Sequence, residues 1–275
     1  MDQLILRAHD GAQAGITTHG AHVCSWIPAA GKEQLFLSKT SEFREGTAIR
    51  GGVPVVFPQF AGLGSLPKHG FARNSQWQLL RSGHTAAGAA QAVFGLHESI
   101  ATLALWPYVF RAELTVTVGG QELDIALAVE NTGDTAFSFT AALHTYCAVA
   151  DIADVSVHGL AGLRYRDSAS GADHCVERSE ALHVAGEVDR IYADAPAQLE
   201  LRQPGQTTVI STTGFSDAVV WNPGAAKGAA LADLEADGYR RMLCVEAASI
   251  LRPISLLPGA RWAASQKLQL AAEQN

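Results

Sequence analysis

Residues 112–118, AELTVTV, and residues 122–130, ELDIALAVE, joined through Gly119-Gly120, decide the fold class. Leu114, Val116 and Val118 alternate with Glu113, Thr115 and Thr117, while Leu123, Ile125, Leu127 and Val129 take every second place in the next run. A period of two puts one set of side chains on one face of a strand, and the paired glycines supply a tight turn, so the segment reads as a β-hairpin. Asn131-Thr132-Gly133-Asp134 then leads into 135–143, TAFSFTAAL, where Phe137 and Phe139 keep the alternation. This predicts a three-stranded antiparallel meander.

Working outward, similar short runs occur at 3–8, 13–18, 21–27, 76–81, 154–158, 198–202, 207–212, 217–221, 242–247 and 262–270, separated by Gly, Pro, Asn or Asp. They lack the regular helical insertions of parallel βαβ units, so the expectation is an all-β antiparallel sandwich of two packed sheets. Helix is expected only as short excursions at 38–45 (SKTSEFRE) and 226–236 (AKGAALADLEA). No Ser/Pro-rich linker and no internal repeat divides the 275 residues, which predicts one domain over 1–275.

Composition narrows the function classes. Hydrophobic residues make up 48% and charged residues 17%, the balance of a chain that folds around a core. With 20 Lys and Arg against 27 Asp and Glu, the formal charge of −7 gives no global field for a polyanion, so nucleic acid is not an expected partner. No apolar run approaches the roughly 18 residues of a membrane helix. The start, MDQLILRAHDG, carries charges where a signal peptide needs its apolar core. A soluble, cytoplasmic monomer away from membranes is expected. Cys24, Cys147, Cys175 and Cys244 are scattered without a CxxC pair and read as free, mostly buried thiols.

The densest punctuation lies at 50–77, RGGVPVVFPQFAGLGSLPKHGFARNSQW. Gly and Pro bend the backbone there and do not build a ladder, which predicts a long structured loop. Its basic residues among aromatics suit an anionic, partly apolar small molecule; a surface loop with solvated charges is the alternative. His144, inside ALHTYCAV, and Glu246, inside MLCVEAA, are ionisable groups in apolar strands. Each must be paired, desolvated or facing a cleft, so His144 is either a hydrogen-bonded core histidine or an acid/base group. Glu246 is either the partner of a buried arginine such as Arg252 or the second member of an acid/base pair. His19 and His22 form an HxxH, but strand spacing sends them to opposite faces and no further ligand adjoins them, so no metal site is expected. The chain also lacks GxGxxG, P-loop, GxSxG and HExxH signatures.

Taken together, RGGVPVVFPQF, LPKHGFARNSQW, LHTYCAVADIADVSVHGL, EVDRIY (187–192), VVWNP (219–223) and MLCVEAA (242–248) resemble the hexose-6-phosphate mutarotases, the glucose-6-phosphate 1-epimerase branch of the aldose 1-epimerase family. The likeness runs in order over about residues 20–265. It implies a galactose-mutarotase-like β-sandwich (supersandwich) and cofactor-free interconversion of the anomers of an aldohexose 6-phosphate. By that resemblance His144 is the catalytic acid, held as imidazolium, and Glu246 the ionised catalytic base. His69, Asp189, Arg50 and Arg73 are implied substrate-binding positions, the two arginines for the phosphate, and Lys68 joins them where other members carry an uncharged residue such as Gln. Asn222-Pro223-Gly224 departs from the aromatic that often follows NP in the family.

Overall fold

The hairpin forms as read. In the computed structural model, which describes residues 3–271, Phe110–Gly119 pairs with Glu122–Asn131 in unbroken antiparallel register from Phe110 opposite Asn131 to Gly119 opposite Glu122. Gly120 takes a positive φ of 57° in the turn, a conformation open to glycine without steric cost. Leu114, Val116, Val118, Leu123, Leu127 and Val129 are fully buried, because the alternating face has an opposing sheet to pack on.

That hairpin sits in a nine-stranded sheet. In spatial order its strands are Ala181–His183, Ser156–His158, Gln198–Gln203, Gln206–Thr213, Arg261–Leu270, Glu122–Asn131, Phe110–Gly119, Ala90–His97 and Gln78–His84. Opposite it lies an eight-stranded sheet whose path is Ala172–Val176, Arg164–Asp167, Val188–Tyr192, Asp217–Asn222, Met242–Leu256, Phe137–Leu143 and Val55–Val56. Tyr146–Ala148 pairs with Met242–Leu256 beside that path. A separate three-stranded sheet joins Gln3–Arg7, Gln13–Thr17 and His22–Ile27. One apolar core draws on residues from Leu6 to Leu268, including Phe57, Phe94, Phe110 and Phe139. Strand accounts for 51% and helix for 8%, so the all-β antiparallel reading holds.

The meander does not. Phe137–Leu143 leaves the hairpin and pairs with Met242–Leu256 in the opposing sheet. The free edge it would need is taken by Arg261–Leu270, which pairs with Glu122–Asn131 from Arg261 opposite Glu130 onward. Asn131 fixes the crossing, donating from Nδ2 to the carbonyls of Thr135 and Leu256 at 3.0 Å each.

Residues 38–45 are turn and loop, not helix. Ser41 Oγ accepts the Arg50 N–H at 2.7 Å and Ser38 Oγ donates to Glu235 at 2.6 Å, so serines engage distant groups in place of a helical turn. The second helical candidate is confined to Gly224–Ala229, after which Asp233 and Glu235 leave the helical path to pair with Arg50 and Arg241. A helix at Ile100–Leu105 is closed at its start by a Ser99–Thr102 capping box. No helix among the described residues is long and apolar enough to cross a membrane.

Candidate active site

His144 and Glu246 are brought together by strand register. Leu143 pairs with Ala247 and Tyr146 pairs with Cys244, so the two residues between them on each segment also face each other, His144 opposite Glu246 and Thr145 opposite Val245. Directly opposed residues share a face of the sheet. Here that face is the floor of a cleft of about 220 Å³ whose wall includes Arg50, Lys68, His69, Asp189, Trp221 and Lys227. His144 Nδ1 lies 3.4 Å from Glu246 Oε1, too poorly aligned for a hydrogen bond. Nδ1 and Glu246 Oε2 are buried without a partner in the protein. Unpartnered buried polar atoms are costly, which fits a site built to receive a ligand's hydroxyls.

The imidazole is held on three sides. It stacks on Tyr146 at 4.8 Å between centroids and 9° between planes, with Trp221 edge-on at 5.9 Å and His69 edge-on at 5.5 Å. Glu246 does not pair with Arg252, whose guanidinium instead meets Asp194 at the surface.

The 50–77 segment is the structured loop expected, and it brings Arg50, Lys68 and His69 to the cleft together with the apolar Phe60, Ala61 and Leu63. His69 has φ +67°, followed by Gly70 at +68°, where a Cβ would come within 2.2 Å of the Phe57 carbonyl oxygen. That close backbone approach turns the His69 ring inward. Ala61 N–H donates to His69 Nδ1 at 3.3 Å, leaving Nε2 to carry the ring proton. Burial, then Arg73, Lys68 and Arg50, push the His69 pKa down to about 3, so the ring is a neutral donor.

Arg50 lines the cleft with its donors already engaged. Nε and Nη2 reach Asp233 at 3.2 and 3.1 Å, and Nη1 donates to the Tyr146 hydroxyl at 3.0 Å. Burial opposes its charge, but Tyr146 and Asp233 outweigh burial and keep it protonated. Its loop is clasped by the HxxH: His22 Nε2 bonds the Gly51 carbonyl and His19 Nε2 the Thr47 carbonyl, each at 2.8 Å. Both rings are buried and serve the loop, because a turn at Gly20-Ala21 breaks the strand that would have sent them to opposite faces.

Arg73 is off the cleft wall. It donates from Nη2 to the Lys68 carbonyl at 2.9 Å and so braces the loop behind Lys68. Lys68 is exposed at the rim, its pKa lowered by burial of part of its stem and by Lys227, Arg73 and Arg50. Asp189 stands opposite Trp221 on neighbouring strands; burial raises its carboxyl, with Lys227 working against the rise.

The surroundings of the floor pair favour its neutral forms. Burial, then Asp189, raises the Glu246 carboxyl well above its usual range, and burial, then His69, Arg50 and Arg73, lowers the His144 imidazole. This differs from the ionised pair expected by resemblance. Trp221, Tyr146, Lys227 and Asp233 belong to the same surroundings and were not singled out from sequence, although VVWNP and LHTYC contain two of them. A second hollow, of about 510 Å³ near Phe36 and Arg241, has no opposed acid/base pair.

The sequence model for aldose 1-epimerase matches residues 2–269. The chain belongs to the aldose 1-epimerase family. A protein of Cenchrus ciliaris named "Putative glucose-6-phosphate 1-epimerase" is 35% identical over 95% of this chain and 82% of its own length. One of the same name from Escherichia coli K12 is 38% identical, over 89% and 82%. The crystal structure of "a putative mutarotase (YeaD)" from Salmonella typhimurium superposes with a TM-score of 0.88 at 31% identity, covering 95% of this chain and 88% of that one. A galactose mutarotase-like protein from Lactobacillus casei, at 17% identity and TM-score 0.76 over 98% and 100%, shares the fold. Membership makes the protein an isomerase with mutarotase activity on a small-molecule sugar.

Proposed function

We propose that this aldose 1-epimerase, acting as one domain over its whole length, equilibrates the α and β anomers of an aldohexose 6-phosphate, glucose 6-phosphate foremost, with its own side chains as acid and base. The observation that carries the reading is the register-opposed pair His144 and Glu246 on a cleft floor, with unpartnered polar atoms beneath a cationic rim. The names borne by the Cenchrus and Escherichia relatives support the phosphorylated substrate.

Mutarotation moves one proton off the anomeric hydroxyl and another onto the ring oxygen. The hemiacetal C–O bond opens, the aldehyde rotates, and reclosure gives the other anomer. Glu246 as carboxylate takes the hydroxyl proton and His144 as imidazolium supplies the ring oxygen, after which both are neutral. The neutral pair favoured by burial is therefore the same pair after one turn of proton relay, and reclosure restores the ions. A bound phosphate dianion offsets the cationic part of the shift on His144, which is second to burial, and so favours the imidazolium needed for opening. Each positioned group contributes about 10²–10⁴-fold. His69 Nε2–H donates to a sugar oxygen, and Asp189 accepts from a hydroxyl.

For the phosphate, Lys68 at the rim and Lys227, which is 2.7 Å from Glu187, supply ammonium groups. Arg50 contributes its fixed charge and, on exchanging Asp233 for phosphate, its fork. Arg73 acts through the loop. The test is kcat/KM for glucose 6-phosphate and for free glucose on Arg50→Ala, Lys68→Ala and Arg73→Ala. The first two should lose a contact worth roughly 1.5–3 kcal/mol, about ten- to a hundredfold, on the phosphorylated sugar alone. Arg73→Ala should lower both substrates together. Equal losses on both sugars for Arg50→Ala and Lys68→Ala would move the assignment to a free-aldose mutarotase.

A further inference from the structure

Behind the acid/base pair, on the face of the sheet turned toward the core, the ladder between the two strands is incomplete. Val245 N–H donates to the Thr145 carbonyl at 3.1 Å, but the reciprocal bond is missing because Thr145 N–H turns back to the Leu143 carbonyl at 3.0 Å. His144 N–H points to the other neighbour and donates to the Pro54 carbonyl at 3.0 Å, in register with the Leu143–Val55 pair, so the defect is confined to Thr145. This local kink separates Phe137–Leu143 from Tyr146–Ala148 and sets the direction in which His144 projects. Its cost is a buried Val245 carbonyl deprived of its ladder donor.

Gln266 supplies that donor from the opposite sheet. It lies on Arg261–Leu270, is 1% exposed, and donates from Nε2 to the Val245 carbonyl at 3.0 Å. Its Oε1 accepts from the Thr145 hydroxyl, which is fully buried. One carboxamide thus ties together the residue after His144 and the residue before Glu246, on both sides of the kink.

We propose that Gln266, with Thr145 as its partner, is a positioning residue that holds His144 and Glu246 at their working separation. The proposal rests on the acid/base reading of that pair. A buried amide in an apolar sandwich core is otherwise an expensive choice, and a hydrophobic residue would fill the same volume without a polar group to satisfy. Here both ends of the amide are used, and both are used on the two residues adjoining the reacting groups.

The test uses the full-length protein with Gln266→Met, Thr145→Val, Thr145→Ser and the Gln266→Met/Thr145→Val double variant, with His144→Asn alongside. Anomer exchange on glucose 6-phosphate gives kcat and KM, thermal unfolding gives stability, and ¹⁵N NMR reports the His144 ring nitrogens. Gln266→Met should lower kcat by about 10- to 100-fold with KM within about twofold, the signature of misplaced reacting groups and not of lost binding. Thr145→Val should lower kcat in the same way, Thr145→Ser should keep the parent value, and the double variant should be no slower than the slower single one. The His144 ring resonances should move in Gln266→Met. If Gln266→Met fails to fold, Thr145→Val and Thr145→Ser decide the matter.

Parent kcat in a folded Gln266→Met or Thr145→Val protein that has merely lost stability would overturn the proposal, as would equal losses in Thr145→Val and Thr145→Ser. If instead His144→Asn exchanges anomers at the parent rate, the acid/base reading itself is wrong. Gln266 then stands or falls on whether its replacement moves the His144 ring signals.

Discussion

Two strand pairs of this protein each turn a fully buried face to the interior and are built in opposite ways. Across Phe110–Gly119 and Glu122–Asn131 the register never breaks, and Leu127 at the centre is 0% exposed among aliphatic neighbours. Across residues 143–146 and 244–247 the ladder is kinked, and Glu246, at 2% exposed, shares the buried floor with His144 and two unpartnered polar atoms. The first arrangement yields the full return of apolar burial, while the second carries desolvated ionisable groups that a fold alone has no use for. Uninterrupted apolar packing and desolvated ionisable groups are thus carried by different strand pairs.

The comparison predicts a crossed pattern of mutational effects. His144→Asn and Glu246→Gln should each lower anomer exchange by about 10²–10⁴-fold while the protein remains folded, read from kcat and from thermal unfolding of the same samples. Either variant at parent rate would show that its side chain belongs with the structural polar groups. Leu127→Ala should do the reverse, costing about 2–5 kcal/mol in denaturant unfolding while leaving kcat of the folded fraction unchanged.

How much of this division could be read from sequence follows from its physics. The hairpin is spelled out because strict alternation over residues 112–130 is a local property. The course of Phe137–Leu143 is not, since its partner is set by whichever strand occupies the edge of Glu122–Asn131, and that strand is more than a hundred residues away. Ala90–His97 escaped the list of runs because Ala, Gln and Gly dilute its alternation, although Phe94 and Leu96 are buried. His144 and Glu246 stood out as ionisable residues in apolar surroundings. Their register opposition, the Asp233 clasp on Arg50 and the withdrawal of Arg73 from the cleft wall depend on tertiary pairing and carry no local signal.

A smaller effect sharpens the comparison through pH. Glu246 has a folded-state pKa raised by burial and by Asp189, so its native form holds a proton that the unfolded chain releases from about pH 4.5 upward. Its contribution to stability is fully present below that value and is lost as pH rises toward the raised value. Glu246→Gln removes this loss, so the variant should melt higher than the parent at neutral pH, by about 2–4 °C for each 1 kcal/mol, with the gap closing below about pH 4.5. A gap independent of pH between 4 and 8 would mean that Glu246 is ionised in the folded protein without substrate.

The proposed exchange of hexose 6-phosphate anomers by the opposed pair, under its cationic rim, can be read on the parent protein itself. Exchange NMR on equilibrated glucose 6-phosphate, galactose 6-phosphate and free glucose tests it directly, by cross-peaks between the α and β anomeric protons with and without a catalytic amount of protein. Exchange well above the buffer rate is expected for glucose 6-phosphate, with weaker acceleration for free glucose and loss of the cross-peaks with His144→Asn. Exchange of glucose 6-phosphate at the buffer rate in the presence of folded parent protein would contradict it.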